Sequence, residues 1–78
     1  MNNKILTFEW DDTHQRLEIH GNIEGIASLM QHLQKLLSPE SQDHVHLLAP
    51  SLGGDDLTEV IQGKSNKLLS NVKIFLWD

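Results

Sequence analysis

The residues best suited to chemistry are five histidines and two groups of carboxylates. His44 and His46 flank Val45, and residues two apart on a strand project from one face, so both imidazoles could ligate one metal ion. His20, at the end of another expected strand, is the candidate third ligand of a small histidine-based metal-binding protein. Such a site needs three or four converging ligands. The plainer reading is of half-buried imidazoles hydrogen-bonded to acidic neighbours. The carboxylates fall at Glu9, Asp11 and Asp12, and again at Asp55, Asp56 and Glu59. A glycosidase-like pair requires a defined separation inside a cleft, and a chain with one helix has little room for one. Gly53-Gly54-Asp55-Asp56 lacks the alternating oxygen ligands and closing glutamate of a calcium loop. These charges therefore read as solvated turns, or as an acidic face for a basic partner. There is no phosphate-cradling glycine motif, no GxSxG and no cysteine, so neither an enzyme nor a cofactor is expected.

Composition narrows the classes further. The chain has 78 residues, enough for one domain spanning 1–78. Hydrophobic residues make up 38%, too many for a disordered chain. Six basic against eleven acidic residues give a net charge of −5, which opposes nucleic acid and anionic membranes and suits a basic protein. The first residues contain only Ile5-Leu6 before polar Thr7, so no signal-peptide core is present, and no run of about 18 apolar residues occurs. The expected compartment is the cytoplasm.

Segments able to position these residues follow from hydropathy. Residues 4–10 and 16–20 alternate as two strands around the polar break at 11–14, giving a hairpin. Asn22 is a good helix N-cap, and Ile23, Ile26, Leu29, Met30, Leu33, Leu36 and Leu37 form one apolar stripe over 23–37. Gly25 sits early enough in that helix to be tolerated and to allow close approach to the sheet, and Pro39 ends it. Residues 43–48 and 72–77 read as further strands. Residues 57–62 are a possible short strand, and 67–70 are either a helical turn or extended chain. The expected fold is α+β: a two-layer β-β-α-β-(β)-β sandwich, one sheet of four or five strands with a single helix on one face. Its core should contain Leu6, Phe8, Leu17, Ile19, Ile26, Met30, Leu33, Leu37, Val45, Leu47, Ile74 and Leu76.

One helix cannot cover both faces of that sheet. Val72, Ile74 and Leu76 alternate with Lys73, Phe75 and Trp77, so Phe75 and Trp77 should lie on the open face beside His44 and His46. Flat aromatic area and imidazoles suit the centre of a protein interface. Asp11, Asp12, Asp55 and Asp56 are the candidate acidic rim.

The stretch from 15 to 48 resembles a family of bacterial immunity proteins of polymorphic toxin systems, family 32. The resemblance is carried by Leu17-Glu18-Ile19-His20-Gly21-Asn22-Ile23-Glu24-Gly25-Ile26, the helix through Leu33, and His44-Val45-His46-Leu47. It implies a non-enzymatic protein that binds and neutralises a cognate toxin inside the producing cell. A basic toxin domain, such as a nuclease, would complement the net charge. Two other classes stand beside it: the histidine metal-binding protein, and a structural homodimer joined through open sheet faces or edge strands.

Overall fold

The computed structural model describes residues 3–38 and 43–77. Two strands, β1 (Leu6–Asp11) and β2 (Arg16–Gly21), form the expected hairpin and lead into helix α1 (Ile23–Leu36). Strand β3 (His44–Leu48) follows, then a 3-10 turn at Pro50–Leu52, and finally β4 (Lys67–Leu69) and β5 (Asn71–Phe75). The fold is α+β, with one helix and five strands among the described residues. The strands do not form one sheet, however. They divide into a three-stranded antiparallel sheet, β2-β1-β4, and a two-stranded antiparallel sheet, β3-β5. Only Ser70 separates β4 from β5, and its carbonyl accepts from the Ala49 N–H at 3.0 Å. The chain thus passes from one sheet to the other within a single residue.

Residues 57–62 do not form a strand. They run as irregular chain, because Leu57 is needed in the core and Thr58 pairs with β1 instead. The Thr58 N–H donates to the Leu6 carbonyl at 2.8 Å, and its hydroxyl accepts from the Leu6 N–H at 3.0 Å. The third strand of the larger sheet is 67–69, which the sequence left open between helical turn and extended chain.

Cross-strand pairs share a face. Phe8 opposes Ile19 and Leu69, while Glu9 opposes Glu18 and Leu68. One face of the larger sheet is therefore mainly apolar, and the other carries Glu9 and Glu18 beside Leu68. Leu6 and Phe8 are buried on the apolar face with Leu47, Ala49 and Leu57, and Leu29, Val72 and Ile74 pack against them. Leu36 is buried as well.

The helix presents a different side to this core from the one the leucine stripe suggests. Gly25 and Leu36 are buried, Ser28, Leu29 and His32 are half-buried, and all five lie at helical spacing on one side. Ile26, Met30, Leu33 and Leu37 are exposed, as are Leu17, Ile19 and Leu76, so these seven are not core residues. Gly25 supplies the reason. A Cβ at this position would lie 1.7 Å from the Ile5 carbonyl oxygen, so only glycine lets the first turn rest on the chain entering β1. That contact fixes the rotation of the helix and carries part of the stripe past the edge of the sheet. Leu76 stays exposed because it lies beyond the end of β5.

Asn22 anchors the same junction. Its Oδ1 accepts from the Gly25 N–H at 2.9 Å as an N-cap and from the Ile5 N–H at 3.0 Å. Glu24 in the first turn and Lys35 in the last suit the helix dipole. The chain leaves the helix at Leu37, whose N–H donates to the Leu33 and Gln34 carbonyls. Pro39, the expected stop, lies outside the described residues.

Candidate functional site

Strand pairing in the smaller sheet decides which side chains share a surface. His44 opposes Phe75 and His46 opposes Lys73, while Val45 opposes Ile74 and Leu47 opposes Val72. The second set turns inward, with Leu47 fully buried. His44, His46, Lys73 and Phe75 consequently share the outward face. The His44 and Phe75 rings lie 5.7 Å apart at a tilt of 42°, and the Lys73 ammonium sits 5.1 Å from the Phe75 ring centre, within cation–π range. Phe75 is 50% exposed and Trp77, just past the strand, is 86% exposed. Each imidazole has a local partner: His44 Nδ1 pairs with Asp43 Oδ1 at 2.9 Å, and His46 Nε2 with Asn71 Oδ1. The bond from His44 draws the Asp43 pKa below the usual carboxylate value.

The four aspartates expected at the rim have distinct surroundings. Asp11 ends β1 in the other sheet and holds the hairpin turn, accepting from His14 at 2.7 Å and from Arg16 at 3.2 Å. The His14 bond is the main cause of its lowered pKa. Asp12 accepts from Trp10 Nε1 and Gln15 within the same turn. Asp55 is exposed, and its backbone carbonyl receives Lys4 Nζ at 2.8 Å. Asp56 accepts from the Leu48 N–H at 3.1 Å and lies 3.3 Å from His32 Nε2, which ties the 53–57 loop to β3 and the helix. Asp55 is thus a surface charge, whereas Asp11 and Asp56 hold local structure.

The histidines are not gathered into one metal-ligand set. His44 and His46 lie in the smaller sheet, and His20 lies on β2 in the larger one. His20 belongs to a different group: Glu9, Glu18 and His20 converge, with ligand-type atoms within 4.8 Å of one another. Glu9 is completely buried beneath residues 58–66, and sequence reasoning did not single out this burial. Burial alone would raise its pKa. Bonds from the Thr7 hydroxyl (2.5 Å), the Gln62 N–H, the Asn66 amide and the Gly63 N–H (each 2.9 Å) outweigh that effect and hold it at about 2. The Asn66 amide also donates to Glu18 at 3.1 Å, and His20 Nε2 meets the same Glu18 oxygen at 2.8 Å. His20 and Asn66 together lower the Glu18 pKa. With its oxygens facing N–H donors, Glu9 does not fit a metal-binding role. It fastens the 58–66 segment across the polar face of the sheet. A buried glutamate inside an alternating strand carries little local signal, because three of its four donors, on Gln62, Gly63 and Asn66, come from more than fifty residues away.

Sequence reasoning also missed a second exposed surface, on which β2 and α1 meet. Ile26 lies over Gly21, where a Cβ would stand 2.8 Å from Ile26 Cδ1. Beside it runs an open groove of ≈ 440 Å³, lined by Gly21, Asn22, Ile23, Ile26, Ala27 and Met30. Among the described residues no helix is long and apolar enough to cross a membrane. No protein-family model, curated protein or solved structure matches the chain.

Proposed function

We propose that the protein is a non-enzymatic binding module that neutralises a toxic partner protein by covering its working surface inside the producing cell, as its resemblance to the immunity family implies. The observation that carries this reading is the outward face of β3 and β5. There Phe75 exposes aromatic area next to His44, His46 and Lys73 on a sheet that the helix leaves open, and Trp77, just past the end of β5, is exposed as well. Exposed tryptophan and aromatic–imidazole pairs have the composition of interface centres. The net charge of −5 favours encounter with a basic protein.

The test is co-expression with the polypeptide encoded in the adjoining reading frame, followed by co-purification and titration calorimetry. Protection of growth and a stoichiometric complex are expected, both lost in Trp77→Ala while the circular dichroism spectrum is kept. Absence of protection and of complex overturns the reading.

A further inference from the structure

We propose that two copies of this chain associate through strand β2, in antiparallel register with Ile19 on the two-fold axis, so that the larger sheets join into one and the α1 helices flank the seam. Strand β2 is the outer strand of its sheet. The bond from the Asn22 N–H to the Ile5 carbonyl at 3.1 Å sets the alternation of the β1–β2 ladder. Residues 16, 18 and 20 direct their backbone groups inward, and Leu17, Ile19 and Gly21 direct theirs to the open edge. A long outer strand with apolar side chains is an open template for pairing. Leu17 is 49% exposed, Ile19 45% and Met30, on the neighbouring side of the helix, 55%.

The area and shape of the whole molecule leave surface for a partner to cover. The chain exposes 5703 Å², about 900 Å² more than the roughly 4800 Å² that size scaling gives for a folded monomer of this mass. A standard interface removes about 800 Å² from each partner. The radius of gyration is 13.0 Å, against about 11.5 Å for a chain of this length.

Charge and length select the partner and the register. Along β2 the polar side reads Arg16, Glu18, His20, a self-complementary order. A two-fold axis at Glu18 would set two glutamates face to face. One at Leu17 would carry the pairing out of the strand into the hairpin turn, where Gln15 has a positive φ of 51°. An axis at Ile19 keeps residues 17–21 paired and sets Glu18 opposite the partner's His20, twice over. It also places the partner's Leu17 opposite Gly21. That position has no side chain of its own and opens onto Ile26 and the groove.

The experiment uses the full chain, which has no native cysteine to interfere. Light scattering across a hundredfold concentration range should show a dimer that dissociates on dilution. Ile19→Lys, which sets two ammonium groups together, should give a monomer with an unchanged circular dichroism spectrum. Under mild oxidation Ile19→Cys should cross-link, because an antiparallel hydrogen-bonded pair lies about 5.5 Å apart. Leu17→Cys should not, since its copies stand about 13 Å apart along the strand. A monomer at all concentrations overturns the proposal, as does a dimer that survives Ile19→Lys or cross-links through Leu17→Cys. Trp77→Ala should leave the dimer intact; a dimer lost in that variant assigns association to the β3–β5 face and also overturns it. Failure here leaves the toxin-binding reading standing, because that reading rests on the other sheet.

Discussion

Glu9 is the residue on which the polar face of the larger sheet depends. Its carboxylate gathers donors from Thr7, Gln62, Gly63 and Asn66 and is held at about 2. A group whose pKa is depressed on folding stabilises the fold fully above its unfolded value and loses that contribution as pH falls through the folded value. For Glu9 the window runs from about 4.5 down to about 2, and the shift corresponds to about 3 kcal/mol at most. Asp11, Glu18 and Asp43 are lowered as well and act in the same direction. Urea unfolding at pH 7, 4 and 2.5 should therefore show falling midpoints. Glu9→Gln should lower the midpoint at pH 7 and flatten the dependence, since an amide adds donors where donors already converge. An undiminished slope in that variant would place the acid sensitivity elsewhere. Trp77 is the opposite kind of residue, largely exposed and outside the hydrophobic core. Trp77→Ala should cost about 2 kcal/mol or more in partner binding and leave the thermal midpoint within a degree or two.

At the level of elements, the start of α1 has the least freedom. Gly→Ala inside an exposed helix normally stabilises by up to about 1 kcal/mol. At Gly25 the sign should reverse, because the new methyl would lie 1.7 Å from the Ile5 carbonyl oxygen, a backbone atom. A loss of about 2 kcal/mol is expected by chemical denaturation; a gain would show that the helix can lift away from the sheet freely. Asn22→Ala removes the N-cap together with the tie to Ile5, and should also cost about 2 kcal/mol. Gly53 differs from Gly25 in its reason for being glycine: its φ of 85° lies in the left-handed region and the space around it is open.

For the whole molecule, the net charge of −5 is a long-range property rather than a contact. Asp55 is exposed, so Asp55→Asn should slow association with a basic partner and weaken its salt dependence while leaving dissociation nearly unchanged. Stopped-flow mixing at low and moderate ionic strength separates these effects. A change confined to dissociation would mean that Asp55 touches the partner directly. The two exposed surfaces lie on different sheets, so association with a second copy and with a toxin can be perturbed one at a time.

The hairpin, the limits of the helix and the alternation of β3 and β5 were legible in the sequence because each depends on local periodicity, turn chemistry or capping. The shared outward face of His44, His46 and Phe75 followed from parity and pairing alone. Tertiary structure decided what periodicity cannot carry. An apolar stripe shows that a helix has an apolar side, but the close approach at Gly25 set which part of it meets the core and left Ile26, Met30 and Leu33 outside. Residues 57–62 look like a strand by composition, yet Leu57 went into the core and Thr58 to Leu6, so the third strand formed at 67–69. The burial of Glu9 depends on donors more than fifty residues away in sequence. Such contacts are set by the path of the chain through space, which no local pattern records.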